Sequence, residues 1–268
     1  MKIASWNARG LNAPSKKRLI KQHLKSFNSE IILIQETKLN KVESERFNKM
    51  LGIWDSIFVE AIGASGGLGM VWNPKKISLT YLANNNNWQC ANIQSLKSDT
   101  NFILFNVYGP NDIIRKKTVW AELSTIITEY KGSQIILGGD FNTILSLNEK
   151  VGGTQHLSPS SREFKLWVDK FSLLEIPSNN GLYTWNNRRK DNDYIAEKLD
   201  RFFIVGDISS YKKDFQSSIL PFAGSDHFPV CLEISEPSKP QRNPFKCEKM
   251  WFQEPSFLEM IKTWWSEA

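Results

Sequence analysis

The sequence predicts an α/β fold in which mixed β-sheets are covered by helices. Short apolar runs rich in β-branched and aromatic residues alternate with segments whose apolar residues recur at helical spacing. Some strand candidates, such as Ile31–Ile34 and Ile135–Leu137, are apolar throughout, which is typical of parallel strands buried on both faces. Others follow one another across Gly, Asn or Pro and are compatible with hairpins. With 268 residues, 41% of them hydrophobic, the chain can bury one large core.

The first half of the chain is predicted to consist mostly of strands. A helix is predicted from Arg18 to Phe27, because Ile20, Leu24 and Phe27 fall on one helical stripe. The predicted strands share high β-propensity and end at turn residues. They are Lys2–Trp6, Ile31–Ile34, Gly66–Trp72, Ile77–Leu82, Trp88–Leu96 and Phe102–Tyr108.

Helices and strands alternate in the second half. One helix is predicted around Val119–Tyr130, and another begins at Ser160, where a serine followed three residues later by a glutamate predicts a capping box. The segments Leu182–Trp185 and Leu199–Val205 are predicted to pair as a hairpin. Val230–Ile234 is predicted to be the last strand.

Residues 1–235 are predicted to form one domain. A proline-rich polar linker is expected over residues 236–249, and residues 250–268 are expected to start a C-terminal helical segment. One face of that helix carries Phe257, Ile261, Trp264 and Trp265. A large apolar stripe of this kind needs a partner. It either folds back on residues 1–235 or docks on a following domain that this sequence does not contain.

Composition limits the classes of function that the protein can have, but it does not identify one of them. The formal net charge of +6 is compatible with a polyanion partner, and equally with a slightly basic soluble protein. The three cysteines, Cys90, Cys231 and Cys247, are odd in number and widely spaced. They form no disulfide framework and no zinc motif, which fits a reducing compartment. No apolar run approaches the roughly 20 residues that a membrane span needs, so we expect a soluble intracellular protein with no membrane partner.

Polar residues cluster around the ends of the predicted strands, where α/β sheets bind ligands, with Asp200 inside the Leu199–Val205 run and Ser225-Asp226-His227 before the last strand. They are Asn7, Glu36, Tyr108, Asp140, Asn142, Asp200, Ser225, Asp226 and His227. Each of them alone is more typical of a turn or a helix cap. Glu36 and Asp200 are harder to explain in that way, because a carboxylate among apolar neighbours is costly unless it is paired or binds a metal. The set therefore predicts one shared cleft.

The combination resembles a known superfamily. Its motifs, in chain order, are Trp6-Asn7, Gln35-Glu36-Thr37, Asn106-Val107-Tyr108-Gly109-Pro110, Gly139-Asp140-Phe141-Asn142, Leu199-Asp200-Arg201 and Ser225-Asp226-His227. In order and spacing they resemble the endonuclease/exonuclease/phosphatase superfamily, and most of all the apurinic/apyrimidinic-like endonuclease domain of non-LTR (LINE-type) retrotransposon polyproteins. Gly67–Trp72, Trp120 and Tyr183–Asn186 resemble the plant form. The likeness covers roughly residues 1–235 and extends into the segment with Trp251, Phe257, Trp264 and Trp265.

This resemblance implies a DNase I-like fold, a four-layer α/β sandwich of two packed mixed β-sheets flanked by helices. It also implies hydrolysis of a phosphodiester bond by water with help from Mg²⁺, which Mn²⁺ can replace. Oxygen ligands suit such a cation, so Glu36 is the first candidate, with Asp226 and Asn7 beside it. Whether one or two ions bind is left open.

The resemblance also assigns catalytic roles. Asp140 orients or deprotonates the water, and Asn142 holds Asp140 or a phosphate oxygen. His227 donates to the scissile phosphate while Asp200 accepts its other N–H. Three further residues support these groups: Asn7 and Tyr108 contact phosphate or a water ligand of the metal, and Asp226 assists the metal or the leaving oxygen.

Double-stranded DNA is the expected partner. Arg188, Arg189 and Lys190 lie between two predicted strands, so they form either a solvated turn or a tip that probes a DNA groove. Arg115 and Ser225 are further candidate DNA contacts.

The function expected first is the nicking of target DNA by a mobile element, in the nucleus. The 3′-hydroxyl at the nick would prime reverse transcription by a downstream reverse transcriptase domain of the same polypeptide. The alternatives are an abasic-site DNA repair endonuclease and a catalytically inactive nucleic-acid-binding module. Phosphoesterases acting on RNA tails, sphingolipids or inositol phosphates share the fold but fit the motifs less well.

Overall fold

The computed structural model describes residues 1–13, 16, 18, 20, 22, 27–63, 66–206, 211–221, 224–237 and 254–267. They separate into two compact units, Met1–Glu236 and Pro237–Ala268. The elements of the first unit follow in chain order: β1 (Lys2–Asn7), β2 (Ile31–Gln35), α1 (Lys41–Leu51), β3 (Asp55–Val59), β4 (Leu68–Trp72), β5 (Ile77–Asn84), β6 (Trp88–Ser95), β7 (Asn101–Tyr108), α2 (Ile113–Glu129), β8 (Ile135–Asp140), β9 (Lys150–Val151), α3 (Pro159–Lys170), β10 (Leu173–Glu175), β11 (Trp185–Asn186), β12 (Ala196–Glu197), β13 (Asp200–Val205), β14 (Asp214–Ile219) and β15 (Val230–Ser235).

Two six-stranded sheets organise this unit. The first sheet has the order β14-β15-β1-β2-β4-β3, and the second has the order β10-β13-β8-β7-β6-β5. Each sheet contains one parallel pair, β1 with β2 in the first and β7 with β8 in the second, while its other neighbours are antiparallel. The prediction of mixed sheets is therefore confirmed. The short strands β9, β11 and β12 form a separate three-stranded sheet.

The two sheets pack face to face, and helices cover their outer faces. Alternation along each strand explains why both faces are buried: Ile31 and Leu33 of β2 join the core between the sheets, while Ile32 and Ile34 pack toward α1. The helices α2 and α3 cover the second sheet. This arrangement confirms the predicted four-layer α/β sandwich.

An aromatic cluster ties α2 and α3 to the second sheet. Trp120 of α2 lies 4.9 Å from Trp167 of α3 and 6.1 Å from Phe141, measured between ring centroids. Phe141 contacts Phe203 of β13 edge to face at 5.2 Å. Because Phe141 directly follows Asp140, burial of its ring fixes the backbone at the end of β8.

Two sequence predictions were wrong in this region. The segments Leu182–Trp185 and Leu199–Val205 do not pair with each other, because β13 pairs with β8 while β11 pairs with β12. Side chains of β13 are buried on both faces, so its place is inside a large sheet and not in a two-stranded hairpin. The helix α3 begins with Pro159 after an N-cap at Ser158, whose side chain accepts from the Ser161 amide, so the predicted capping box at Ser160 is absent.

Several elements escaped prediction. The helix α1 and the strands β3 and β14 have few fully buried residues, so their apolar periodicity is weak. The predicted helix Arg18–Phe27 falls largely outside the described residues. Of its stripe, Ile20 and Phe27 are buried, and Leu24 lies outside the described part of the chain.

A buried ion network lies beneath the start of β13. The guanidinium of Arg201 donates to both oxygens of Glu149 at 2.9 Å and to Glu175 at 3.2 and 3.4 Å. It also donates to the carbonyl oxygens of Lys198 at 2.6 Å and Thr143 at 3.1 Å. Arg201 is 1% exposed, so this network joins four separate chain segments in a dry environment.

The second unit contains the helix α4 (Pro255–Glu267). This helix was predicted, and its Trp264 and Trp265 are exposed. Most of the predicted linker, residues 238–249, and the residues Cys247 and Trp251 lie outside the described residues. The boundary at residue 235 and the docking partner of the helix stay predictions. Within the described residues, none of the helices is long and apolar enough to cross a bilayer.

Candidate active site

The predicted polar residues meet at one edge of the paired sheets. Asn7 ends β1, and Glu36 directly follows the parallel strand β2. Tyr108 and Asp140 are opposite each other at the ends of the parallel strands β7 and β8. Asp200 is opposite Asp140 in the antiparallel pairing of β13 with β8. The strand register therefore brings these five residues to the same edge.

Buried polar contacts connect four side chains at this edge. Asn7 Nδ2 donates to Asp140 Oδ2 at 2.8 Å. His227 Nδ1 lies 2.9 Å from Asp200 Oδ2, and its Nε2 lies 3.8 Å from Asp140 Oδ2. All four residues are at most 2% exposed. The imidazole is therefore held between two carboxylates.

This arrangement sets the protonation of the site. Burial lowers the pKa of His227, but Asp200 and Asp140 outweigh it and raise the pKa to about 9. Burial raises the pKa of Asp140 to about 6, against the opposing effect of His227. Near neutral pH, His227 is therefore a cation that can donate through Nε2, and Asp140 is a carboxylate that can accept a proton.

Thr184 holds the histidine and its partner carboxylate together. Its Oγ1 accepts from the amides of Leu199 at 3.0 Å and Asp200 at 2.9 Å. Its carbonyl oxygen accepts from the amide of Phe228, next to His227, at 2.7 Å. In the sequence, Thr184 stood out only within a motif of the resembled family, because its contacts join segments far apart in the chain.

Asn142 supports Asp140 through its backbone. Its amide donates to Asp140 Oδ1 at 2.8 Å, and its side chain donates to the carbonyl of Gly109 at 2.7 Å. A side chain at Gly109 would meet the Phe141 carbonyl at 2.3 Å, so only glycine allows these two loops to approach so closely. Lys116, which sequence reasoning missed, donates to the Asn142 carbonyl at 2.5 Å, and burial lowers its pKa to about 8.

A second cluster lies beside the histidine. Arg9 Nε is 3.3 Å from Glu36 Oε2, and Arg9 Nη1 is 2.5 Å from Asp226 Oδ2. The Tyr108 hydroxyl is hydrogen-bonded to Glu36, and burial together with the charge of Glu36 raises the pKa of Tyr108. Arg9 was not among the predicted residues, because a single arginine after a strand has no distinctive pattern.

Asp226 also joins the site to the small three-stranded sheet. The indole N–H of Trp185 donates to Asp226 Oδ2 at 2.9 Å, and the Asn186 amide donates to the Asp226 carbonyl at 3.3 Å. Burial raises the pKa of Asp226, but the indole hydrogen bond, His227 and Arg9 together bring it below the ordinary value. Asp226 is therefore ionised and held at a fixed place.

The oxygen atoms of Glu36 and Asp226 fit a divalent cation. Both carboxylates contact the single guanidinium of Arg9, so their oxygens lie within reach of one positive charge. Asn7 Oδ1 is at the same turn, where it accepts from the Arg9 amide at 3.0 Å. Carboxylate and amide oxygens are the ligands that Mg²⁺ prefers.

A different group of donors also clusters here. One ligand atom from each of Asp140, Asp200 and His227 lies within 4.8 Å of the others. In this structure, however, both ring nitrogens of His227 face carboxylates, with Nδ1 2.9 Å from Asp200 Oδ2 and Nε2 3.8 Å from Asp140 Oδ2, so they are placed to donate hydrogen bonds. The predicted ligands Glu36 and Asp226 are therefore the better fit.

The residues predicted to contact DNA lie in three different environments. Arg115 lines a cavity of about 580 Å³ that also reaches Glu36 and Tyr108. Arg188, Arg189 and Lys190 are exposed on the segment between β11 and β12, so they do form a projecting tip. Ser225 is 3% exposed, and its hydroxyl accepts from the His227 amide at 3.3 Å. In this structure Ser225 supports the loop of residues 225–227 and does not face solvent.

Sequence comparison places these residues in a wider group. A sequence model of the Endonuclease/Exonuclease/phosphatase family matches residues 4–227. An exodeoxyribonuclease of Bacillus subtilis (strain 168) is 24% identical over 257 residues, which cover 88% of this chain and 100% of that protein. The matched region contains each residue of the site described above.

Comparison with solved structures shows the same fold. An AP endonuclease from Leishmania major superposes with a TM-score of 0.68 at 16% identity, covering 88% of each chain. The endonuclease domain of TRAS1, a telomere-specific non-LTR retrotransposon, gives 0.66 at 14% identity, covering 87% of this chain and 97% of that one. The 3′-phosphatase NExo from Neisseria, bound to a product DNA hairpin, gives 0.65 at 18% identity and covers 88% and 99%.

Proposed function

The chain belongs to the endonuclease/exonuclease/phosphatase family, and from that premise we propose that it is a divalent-metal-dependent DNA endonuclease. The observation that carries this proposal is the buried line Asp140–His227–Asp200 beside the carboxylates of Glu36 and Asp226. These groups together offer a proton acceptor, a charged hydrogen-bond donor and metal ligands at one open edge. Phosphodiester hydrolysis needs all three.

We assign Asp140, His227 and Asp200 separate roles in the hydrolysis. Asp140 accepts a proton from the attacking water, which then forms the new bond to phosphorus. His227 donates from Nε2 to a non-bridging phosphate oxygen, where negative charge builds up. Asp200 keeps the imidazole oriented and charged, as its 2.9 Å contact with Nδ1 favours. The 3′-oxygen leaves with the electron pair of the broken P–O bond and takes up a proton from solvent water, so the products carry a 3′-hydroxyl and a 5′-phosphate.

Glu36, Asp226 and Asn7 would hold the divalent cation, which we propose to be Mg²⁺. When bound, the cation stabilises charge on the phosphate and on the leaving oxygen. Tyr108 orients Glu36 through their hydrogen bond. Asn142 keeps Asp140 in place through its backbone amide.

The biological role that we propose is target-site nicking by a LINE-type retrotransposon of the plant form, in the nucleus. The motifs along residues 1–235 and the likeness in fold to the TRAS1 endonuclease domain support it. A 3′-hydroxyl left in the target would prime reverse transcription directly. We therefore propose a reverse transcriptase domain as the partner that follows this segment in the polypeptide.

Supercoiled plasmid provides the direct test. We expect the protein to convert it to the open-circular form with Mg²⁺ or Mn²⁺, and to stop when a chelator removes the cation. A DNA polymerase should extend the nicks without prior phosphatase treatment, because the 3′-end is a hydroxyl. Chelator-resistant nicking would refute the metal assignment, and extension only after removal of a 3′-phosphate would refute the bond that we propose to break.

Substrate choice separates the competing roles. A target-nicking enzyme should cleave undamaged duplex, whereas a repair enzyme should prefer a duplex with one abasic site by a large factor. Duplex binding without any cleavage would favour an inactive binding module. The intact set of buried acidic and histidine residues argues against that last role.

The tip formed by Arg188, Arg189 and Lys190 is predicted to choose the cleavage position. The strand at its base is attached to the loop of residues 225–227, because the Trp185 indole donates to Asp226 Oδ2 and the Asn186 amide donates to the Asp226 carbonyl. A groove contact at the tip would therefore place the scissile phosphate. Replacing all three residues by serine should change the pattern of nicks along a long duplex. Cleavage of a short single-stranded oligonucleotide should change less. An unchanged nick pattern would make the tip a solvated turn.

A further inference from the structure

Arg9 occupies a central place in the carboxylate cluster. Its guanidinium contacts Glu36 through Nε and Asp226 through Nη1. Both acidic side chains are largely buried, with 9% and 14% of their side-chain surface exposed. The guanidinium is thus the positive charge that neutralises part of this acidic pair.

The backbone of Arg9 is held within its loop, whereas its side chain is half exposed to solvent. Arg9 has a φ of +48°, a left-handed conformation that is unusual for a residue with a side chain. Its amide donates to Asn7 Oδ1 at 3.0 Å, and its carbonyl oxygen accepts from Lys16 Nζ at 3.0 Å. By contrast, the side chain is 49% exposed. It can therefore rotate toward solvent without disturbing the loop.

We propose that Arg9 competes with the divalent cation for Glu36 and Asp226 and, once displaced, binds a phosphate of the DNA. This inference rests on the metal ligands of the proposed function. Two carboxylates and one guanidinium leave a single negative charge in excess, and a divalent cation in place of the guanidinium leaves none. Both cations together would leave an excess of positive charge in a confined site, which like-charge repulsion disfavours.

Once displaced, the Arg9 side chain can pair with a phosphate group of the DNA. It stays anchored at the same edge of the sheets, next to the position where the scissile phosphodiester must bind. A planar guanidinium matches the geometry of two phosphate oxygens. Arg9 thereby links cation binding to DNA binding: the cation frees the guanidinium, and the phosphate then holds it.

The test measures binding and not turnover. Titration of the whole chain with Mn²⁺, followed by the loss of the free-ion electron paramagnetic resonance signal, gives the cation affinity in the absence of DNA. Arg9→Gln should bind Mn²⁺ about 3- to 10-fold more tightly than the parent, since two partly exposed ion pairs no longer compete. Glu36→Gln should lose this binding. Arg46→Gln, at an exposed position on α1, is the matched control and should leave it unchanged.

A second measurement tests whether the Arg9 guanidinium binds the DNA. Fluorescence anisotropy with a labelled duplex should show weaker binding by Arg9→Gln in Ca²⁺, by several-fold, and little difference in its absence. An Mn²⁺ affinity of Arg9→Gln equal to or weaker than that of the parent would overturn the competition. If Arg9→Gln loses the same DNA affinity with and without Ca²⁺, cation binding does not move Arg9 from the carboxylates to a phosphate, and that part of the proposal is wrong. If the parent binds no Mn²⁺, or Glu36→Gln binds it normally, the proposed function loses its metal site as well.

Discussion

Replacing His227 by glutamine should lower the rate of plasmid nicking on the order of 10²-fold or more, as loss of one charged donor in a buried site commonly does. The imidazolium is the group placed to meet developing phosphate charge, and glutamine keeps the size but not the charge. Asp140→Asn should have an effect of similar size, because an amide cannot accept the proton from water. Both changes are nearly isosteric, which limits damage to the fold.

The chain offers matched controls for these two changes. His156 and Asp169 are exposed and lie outside the candidate site, so His156→Gln and Asp169→Asn should nick at the parent rate. Circular dichroism of all four variants should be the same as that of the parent. Nicking by His227→Gln or Asp140→Asn at the parent rate would remove the named residue from the mechanism.

The dependence of the rate on pH offers an independent readout of the same pair. The raised pKa of Asp140 implies that the rate increases as pH rises through about 6, where the base loses its proton. The raised pKa of His227 implies that the rate falls as pH rises through about 9, where the donor is lost. In His227→Gln the alkaline decline should disappear. A parent profile that is flat from pH 5 to 10 would contradict both assignments.

Replacing Arg201 by methionine should destabilise the protein by about 3–5 kcal/mol, the range found when one member of a buried ion network is removed. The loss arises because Glu149, whose side chain is 10% exposed, would lose both hydrogen bonds from the guanidinium, and Glu175 would keep only its 2.5 Å ion pair with Lys198. Urea denaturation of the parent and the variant at neutral pH would measure this difference in the free energy of unfolding.

The large loss of stability expected for Arg201→Met comes from the burial of Arg201, and a salt bridge on the surface should contribute much less. Lys117 and Glu163 form a salt bridge of 3.0 Å on the surface, and Lys117→Met should change stability by less than about 1 kcal/mol. The hydrogen bonds from Arg201 overcome burial and lower the pKa of Glu149, so this carboxylate contributes stability only where it is ionised. The deficit of Arg201→Met should therefore shrink as pH falls through the carboxyl range. Equal losses for the two variants would show that burial of Arg201 is energetically unimportant.

The residues that meet in the candidate site could be named from the sequence because strand ends leave a local pattern. Glu36 comes two residues after the apolar run Ile31–Ile34, and Asp140 comes three residues after Ile135–Leu137, so a carboxylate stands out in the sequence at both places. The supporting residues leave no such pattern. Thr184 reaches Asp200 across 16 residues of chain, and Lys116 reaches Asn142 across 26, so their roles exist only once the sheets have formed.

The pairing of strands was harder to predict than their existence. β13 was recognised from its apolar residues, but the choice between β8 and the segment near Trp185 depends on which neighbour buries both faces. The pattern of one strand does not contain that information. The helix α1 was missed for a related reason, since only Ser44, Phe47 and Leu51 of its residues are buried.

The order of strands in the first sheet has a consequence for how the protein is made. β1 lies inside that sheet between β2 and β15, and the terminal amino group of Met1 donates to the carbonyl of Ile234 at 2.6 Å. During synthesis, β1 is complete more than two hundred residues before its second neighbour, β15, leaves the ribosome. Asn7 and His227 stand at the two ends of this interval, so the nascent chain has no assembled site. The endonuclease that we propose therefore cannot cut DNA until residue 227 and the strand that follows it have been synthesised.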